Sequence, residues 1–194
     1  VEATNPGNSV KDRIAVAMID AAQPGDALDL VMFYLADRPV IRALKRAARR
    51  GVSLHVLLDP NKDAFGRTKN GMPNRQVARE LVAAGVPVRW AATHGEQMHA
   101  KILLARYATG TGDVLLGSAN FTRRNLRNFN LETNARLTGP LDAPAIQDAA
   151  AFADRLWTNA DDRVFSLDHD AFRDDTHYRT WLYRLQEATG FCGW

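Results

Sequence analysis

The chain has 194 residues, 46% hydrophobic and 24% charged, the composition of an ordinary globular domain, which argues against a disordered or fibrous protein. Lys and Arg number 25 against 22 Asp and Glu, and the net charge of +3 tilts mildly toward anionic partners. The single cysteine, Cys192, excludes disulfides within the chain and thiolate metal clusters. No apolar run approaches the roughly 20 residues of a membrane-spanning helix, and no basic-then-apolar leader follows Val1. We therefore expect neither a transmembrane segment nor a signal peptide, while peripheral contact with a membrane stays open.

The first 90 residues alternate amphipathic helices with short apolar strands. Apolar residues at helical spacing, with Pro, Gly or Asp at the ends, predict helices over residues 9–22, 37–51 and 73–85. Short apolar runs predict strands over residues 28–35, 52–58 and 86–90. Helices between strands are typical of crossover connections, so we expect an α/β fold with a mixed, largely parallel sheet and helices on both faces.

The second half of the chain does not continue this alternation of helices and strands. Residues 98–106 and 114–116 are strand-like and flank a turn rich in Thr and Gly, which predicts a hairpin. A further strand is predicted over residues 129–137, followed by helices over residues 142–157 and 168–186.

Two short motifs, His99-x-Lys101 and Gly117-Ser118-x-Asn120, flank this predicted hairpin. Residues two apart on a strand project from the same face, so His99 and Lys101 point together. A neutral imidazole is a competent nucleophile, and an ammonium stabilises negative charge that grows on a phosphoryl oxygen. Ser118 and Asn120 can donate hydrogen bonds to the same oxygens. The set therefore favours attack on phosphorus over attack on carbon.

The same residues also have a purely structural interpretation. His99 and Lys101 alone would be ordinary strand residues at the surface, and Ser118 and Asn120 would be turn residues that satisfy backbone groups. At this composition, however, the two motifs are expected together by chance only about 0.002 times in a chain of this length. We therefore assign them a functional role.

The two motifs resemble the signature of the phospholipase D superfamily. Residues 117–134 are similar to the second half of bacterial phospholipase D and cardiolipin synthase-like proteins, and the strand–helix–strand pattern around residues 44–52 resembles the opening of that family. The resemblance covers roughly residues 9–157. It implies a phospholipase D-like catalytic domain over residues 1–160, with a helical C-terminal extension over residues 161–194 packed on the same domain.

This resemblance also implies a role for each site residue. His99 would be the nucleophile that forms a phosphohistidine, or the acid that protonates the leaving group. Lys101, Ser118 and Asn120 would bind the substrate phosphate. Glu132 would hydrogen-bond a catalytic imidazole and set its tautomer. No metal and no other cofactor is implied.

The chain departs from the family pattern in two ways. The family has an Asp five residues after the Lys, where this chain has Arg106, and Asp113 beyond the hairpin turn is the nearest acid. The family site also uses two His-x-Lys motifs, one His attacking and the other serving as acid and then base, whereas this chain has one. A homodimer around a two-fold axis, or a second half from the same gene product, would supply the other histidine.

Two groups of basic residues remain open to interpretation. Arg123, Arg124 and Arg127 follow the predicted phosphate loop directly and are candidates for substrate contact. The basic face of the helix predicted over residues 37–51 is interpreted as a solvated surface rather than as a contact for lipid or nucleic acid.

The expected function is therefore a phospholipase D-like phosphodiesterase, hydrolase or phosphatidyltransferase, acting on phospholipids through a phosphohistidine. The segment 130–132 resembles the lipid branch of the superfamily. The alternative is a metal-independent, sequence-nonspecific endonuclease acting on DNA or RNA, which the basic balance permits. A second alternative is a non-catalytic half of a two-motif enzyme, which Arg106 keeps open.

Overall fold

The computed structural model describes residues 10–64, 67–127 and 130–189. The helices and strands are, in chain order, α1 (Val10–Ala21), β1 (Ala27–Met32), α2 (Arg38–Arg50), β2 (Ser53–Leu58), β3 (Asp63–Ala64), β4 (Arg67–Thr68), α3 (Asn74–Val82), β5 (Val88–Ala91), β6 (Lys101–Arg106), β7 (Thr111–Gly117), α4 (Arg123–Leu126), β8 (Asn134–Pro140), α5 (Pro144–Thr158), β9 (Ser166–Asp168), a 3-10 helix (His169–Phe172) and α6 (His177–Thr189). Residue 129, where a strand was predicted to begin, and Cys192 lie outside the described residues.

Seven strands form one sheet in the order β8-β7-β6-β1-β2-β5-β9, and β3 pairs antiparallel with β4 in a separate two-stranded sheet. The predicted α/β fold with flanking helices is confirmed, with one correction to the strand directions. Only β1–β2 and β2–β5 are parallel pairs, whereas the other four neighbouring pairs are antiparallel. The sheet is therefore mostly antiparallel, because helical crossovers join only β1, β2 and β5 and the later strands fold back on one another.

Helices pack on both faces of this sheet. Along β6, Leu103 and Leu104 are fully buried but belong to two different hydrophobic clusters, because successive residues of a strand point to opposite faces. Leu103 belongs to the large cluster that includes residues of α1, α2 and α3. Leu104 packs with Val114 and with Ile146 of α5. The predicted hairpin of β6 and β7 therefore separates two hydrophobic cores, one on each face of the sheet.

Helix α2 forms where the capping residues predict it. The Asp37 carboxylate accepts a hydrogen bond from the Val40 N–H at 3.3 Å, and Pro39 lies in the first turn. Gly51 ends the helix with a left-handed φ of 84°, and its N–H donates to the carbonyl oxygens of Ala47 and Ala48. These local signals fix both ends of the first crossover.

The tail differs from the single helix predicted over residues 168–186. Residues 166–168 form β9, which pairs antiparallel with β5 at the edge of the sheet, and α6 begins only at His177. A strand of three residues is too short to show hydrophobic alternation, so its pairing with a distant strand leaves no local pattern.

Two hydrogen bonds fix this tail to the rest of the fold. The Trp90 indole, fully buried on β5, donates to the His169 carbonyl at 2.7 Å. The buried Tyr183 hydroxyl of α6 donates to the Ala36 carbonyl at 3.2 Å, in the loop that follows β1. The tail is therefore attached both to the sheet edge and to the loop after its central strand.

Arg106, at the position where the resemblance implies an Asp, lies at the end of β6 opposite to Lys101. Its guanidinium pairs with the buried Asp29 carboxylate at 2.7 Å and with Asp154 of α5 at 3.1 Å. The Nδ1 atom of His55 lies 2.9 Å from the same Asp29 carboxylate. The substituted arginine thus joins β1, β6 and α5 through a structural ion-pair cluster.

We expect Arg106→Met to destabilise the fold because Asp29 would stay buried without its guanidinium. Breaking a buried pair costs roughly 3–5 kcal/mol, and the partial exposure of Arg106 reduces this to about 2–3 kcal/mol. Arg106→Asp, which restores the residue type of the superfamily, should cost more because it would add a carboxylate beside Asp29 and Asp154. Urea unfolding measures both effects.

Arg155→Met is the matched control, because Arg155 pairs at 3.0 Å with an exposed carboxylate, that of Asp161. An exposed pair is worth at most about 1 kcal/mol. Equal losses in Arg155→Met and Arg106→Met would contradict the structural role of Arg106.

Candidate active site

The predicted site residues meet at one end of the central strands of the sheet, where β1 and β7 end and β6 begins. The antiparallel register pairs Met32, the last residue of β1, with Lys101, the first residue of β6. On the other side of β6, Ile102 pairs with Leu116, so the end of β7 reaches the same edge. Both motifs therefore come together where β1 and β7 end and β6 begins, as the hairpin predicted.

His99 lies just before β6 with an exposed side chain. Its ring packs at 4.7 Å, centroid to centroid, against the ring of Phe33. Partial burial and the charge of Lys101 lower the pKa of His99 below its ordinary value. Within the described ranges, the imidazole makes no hydrogen bond to another residue of the chain. The lowered pKa favours the neutral imidazole, in which one ring nitrogen has a free lone pair.

Lys101 is buried, with 6% of the residue exposed. Its ammonium donates to the His99 carbonyl at 2.6 Å and lies 5.2 Å from the centre of the Phe33 ring. Burial lowers the pKa of Lys101 to about 8, against the opposing influence of Glu132. The carbonyl takes one of the three ammonium protons, so two remain for an anion.

The predicted phosphate loop follows β7 and is fixed by hydrogen bonds to the neighbouring strand segment. The Ser118 hydroxyl accepts from the Thr133 N–H at 3.0 Å, and the Ala119 N–H donates to the Asn134 side chain at 3.2 Å. A Cβ atom at Gly117 would overlap the Thr133 carbonyl and Asn134, so glycine permits this close approach.

Asn120 connects the phosphate loop to the loop after β1. Its side-chain oxygen accepts from the Tyr34 N–H at 3.2 Å, which leaves the amide N–H₂ group for another acceptor. The next residue, Phe121, donates its N–H to the Tyr34 carbonyl at 3.0 Å and accepts from the Ala36 N–H at 2.8 Å. Backbone pairing thus sets the direction of the Asn120 side chain.

Glu132 lies beside the phosphate loop, where it contacts Ser118 and Asn125 instead of the imidazole that the resemblance implied. Its carboxylate accepts from the Ser118 hydroxyl at 2.5 Å and from the Asn125 side-chain amide. Among the described residues, no hydrogen bond joins it to an imidazole. Within one chain, Glu132 therefore orients Ser118.

The three arginines that follow the loop all have contacts inside the chain, and the Arg127 guanidinium lies 3.9 Å from the Asp37 carboxylate. The Arg123 guanidinium donates to the carbonyl oxygens of Glu187 and Ala188, at the end of α6. Arg124 donates to the Asn130 side chain at 3.2 Å. The Arg123 contacts connect the C-terminal helix to α4, directly after the phosphate loop.

Sequence reasoning missed a buried polar group beneath the site. Asp59, directly after β2, accepts from the Met98 N–H at 2.8 Å, and burial raises its pKa. Asn74 donates to the Phe33 carbonyl at 2.7 Å and accepts from the Leu35 N–H at 2.9 Å. These residues fix the backbone beside His99 and its contact ring. The sequence signal that could have revealed Asp59 is its position as a polar residue immediately after a buried strand.

Fold and site together define a phospholipase D-like protein. Residues 15–157, well over half of the chain, match the family model described as the cardiolipin synthase, PLD-like domain. The chain belongs to this family and therefore to the phospholipase D superfamily, whose members are phosphodiesterases, nucleases and synthases. No curated protein is similar enough in sequence to count as a relative.

Solved structures share this fold at low sequence identity. The phospholipase D family member Nuc from Salmonella typhimurium is 19% identical, with a TM-score of 0.61 over 88% of this chain and 95% of Nuc. NucT from Helicobacter pylori is 19% identical, with a TM-score of 0.56 over 77% of this chain and 91% of its own. Phosphatidylserine synthase from Haemophilus influenzae is 10% identical, with a TM-score of 0.57, and the match covers 93% of this chain but 43% of the synthase.

The described residues contain no group of three or more His, Cys, Asp or Glu side chains arranged to hold a metal ion. None of their helices combines the length and apolar character that crossing a bilayer demands.

The pH dependence of kcat/KM should be bell-shaped because two groups must hold opposite protonation states. We expect the rising limb below pH 6.5, as His99 loses its proton, and the falling limb near pH 8, as Lys101 loses its charge. Initial rates with bis-p-nitrophenyl phosphate measure the profile. Its p-nitrophenolate leaves without a proton from an acid, so the profile reports His99 and Lys101 and not the group that protonates a less activated leaving alcohol.

The Lys101→Arg variant tests whether the falling limb comes from Lys101, because a guanidinium stays charged across this pH range. The variant should be slower, and its falling limb should move well above pH 8. A falling limb that stays near pH 8 in Lys101→Arg would show that another group is responsible.

Proposed function

We propose that this chain is a phosphodiesterase or phosphatidyltransferase that acts on phospholipids through a covalent phosphohistidine on His99. The observation that carries the proposal is an exposed imidazole next to a buried ammonium, where the loop of Ser118 and Asn120 follows β7. These groups supply a nucleophile and donors for the oxygens of a phosphodiester.

In the first step, a ring nitrogen of His99 attacks phosphorus and the bond from phosphorus to the leaving alcohol oxygen breaks. Negative charge accumulates on the non-bridging oxygens, which the Lys101 ammonium and the Asn120 amide stabilise. Ser118 joins them when its hydroxyl turns from the Glu132 carboxylate to the phosphate. The leaving oxygen takes a proton from an acid, for which the superfamily pattern uses a second imidazole. The products are the free alcohol and a phosphorylated His99.

In the second step, water or another alcohol attacks the phosphohistidine. The second imidazole, now neutral, accepts the proton of the attacking hydroxyl, and the bond from nitrogen to phosphorus breaks. Water gives hydrolysis, and an alcohol gives phosphatidyl transfer. His99 returns to its neutral form, so the cycle is balanced.

The second imidazole has no source beside His99 within the described chain. His55 on β2 is bound to Asp29 of β1, and His94 lies 3.9 Å from Glu96 in an exposed loop. His169 stacks against Trp90 of β5, and His177 is the first residue of α6. A second copy of the chain, or a second half from the same gene product, is therefore part of the proposal. Leu131 is fully exposed next to Glu132, and it offers apolar surface for such a contact.

The position of Arg106 supports an active rather than a non-catalytic half. Its guanidinium is engaged by Asp29 and Asp154 at the end of β6 away from Lys101. The substitution therefore changes the ion pairs under α5 and leaves the groups around His99 in place.

Phospholipid is the preferred substrate because the matching family model is that of a cardiolipin synthase domain. With phosphatidylcholine and ethanol, we expect the wild-type protein to form phosphatidylethanol or phosphatidic acid and His99→Ala to form neither. Lipid chromatography measures the products, and circular dichroism checks that the variant is folded. Product formation by His99→Ala near the wild-type rate would contradict the mechanism.

Supercoiled plasmid in a buffer with chelator tests the nuclease alternative. Nicked circles without lipid turnover, abolished in His99→Ala, would assign the same chemistry to nucleic acid. Arg155→Met serves as the control variant in both assays, because its exposed ion pair lies on α5, away from the site edge.

If two copies of the chain share one site, an inactive chain should inactivate the active chain with which it pairs. After joint unfolding and refolding with a ninefold excess of His99→Ala, about one wild-type chain in ten would pair with another wild-type chain. Activity per wild-type chain should then fall about tenfold. Constant activity per wild-type chain would exclude a site shared between two copies.

A further inference from the structure

A second ammonium lies next to the site, on the other half of an aromatic pair. The Lys101 ammonium lies 5.2 Å from the centre of the Phe33 ring, and the Lys69 ammonium lies 5.2 Å from the centre of the Tyr34 ring. The two rings are neighbours, with centroids 4.1 Å apart. Two cations therefore flank one pair of rings, of which Phe33 also contacts His99.

Neither ammonium has a carboxylate partner within ion-pair distance in the part of the chain that the structure describes. Lys69 influences the buried Asp59, but the oxygens of that carboxylate already accept from the N–H groups of Met98 at 2.8 Å and Asn61 at 2.7 Å. A partly buried cation without a counter-ion favours an anion from outside. Lys101 has such an anion in the scissile phosphate, whereas the proposed reaction supplies none for Lys69.

The Tyr34 hydroxyl is placed to assist Lys69. Tyr34 is buried, with 8% exposed, and its oxygen accepts from the Lys69 ammonium at 2.5 Å. A hydroxyl that accepts this bond still has its own proton to donate. The backbone of Tyr34 is bound to Asn120, so this residue is fixed relative to the phosphate loop.

We propose that Lys69 and the Tyr34 hydroxyl form a second anion subsite, which binds a phosphate other than the scissile one. The preferred substrate would then be an organic bisphosphate, with a second phosphate a short linker away from the phosphodiester. This inference rests on the proposed function for the position of the scissile group. The shared chemistry is the second phosphate, whether a lipid headgroup or a nucleotide carries it.

Equilibrium binding tests the subsite without turnover. Calorimetry at low ionic strength would compare propane-1,3-diyl bisphosphate with propyl phosphate as ligands of the full chain. An added charge-assisted contact predicts that the bisphosphate binds roughly tenfold more tightly than the monophosphate. Lys69→Met should reduce this ratio to about two, and Tyr34→Phe should give an intermediate ratio. Lys69→Gln replaces Lys69→Met if that variant does not fold.

Lys62→Met is the matched control, because Lys62 belongs to the same loop but its ammonium lies over Phe172 at 5.8 Å. It should keep the wild-type ratio. A wild-type ratio near one, or an unchanged ratio in Lys69→Met and Lys69→Gln, would overturn the proposal. His99→Ala should keep the ratio while it loses turnover, so a failed subsite and a failed reaction give different results.

Two further ligand pairs identify the source of the second phosphate. One pair is thymidine 3′,5′-bisphosphate and thymidine 5′-phosphate, and the other is short-chain phosphatidylglycerol phosphate and phosphatidylglycerol in micelles. A Lys69-dependent preference in one pair assigns that source. No preference in either pair would overturn the subsite as a determinant of substrate choice.

Discussion

Strand β6 runs antiparallel to β1, and this pairing sets the place of every proposed site residue. It brings Lys101 beside Met32 at the end of β1, which puts the ammonium against Phe33 and away from water. The next pairing, with β7, brings the serine–asparagine loop to the same edge. A slip of one residue in β6 would turn Lys101 to the opposite face of the sheet, so the proposed chemistry requires the observed register of β6 against β1.

Desolvation of Lys101 affects the imidazole and the ammonium together. Burial lowers the pKa of Lys101 to about 8, and the remaining positive charge helps to lower the pKa of His99. Both shifts favour the state that the proposed mechanism needs, with a neutral imidazole as the nucleophile and a charged ammonium as the oxyanion donor. The chain achieves this without a carboxylate between them, because Glu132 is bound to Ser118 and Asn125.

The sequence predicted what depends on local pattern and chemistry. Helix α2 followed from Asp37, Pro39 and Gly51, and the β6–β7 hairpin followed from its turn. The predominance of antiparallel pairs and the strand β9 were not predicted, because they depend on pairings between distant segments. The contact between Glu132 and Asn125 was missed because Asn125 has no motif of its own and is brought there by a one-turn helix.

The family match ends at residue 157, yet hydrogen bonds across that boundary hold the molecule together. Trp90 is bound to the carbonyl of His169, and Arg123 holds the last turn of α6 beside the proposed phosphate loop. The segment that matches the family model is therefore smaller than the hydrogen-bonded unit of the fold. A chain shortened to that segment would lose the acceptor of the Trp90 indole and the anchor of α4, so the proposed site would depend on residues that lie beyond the family match.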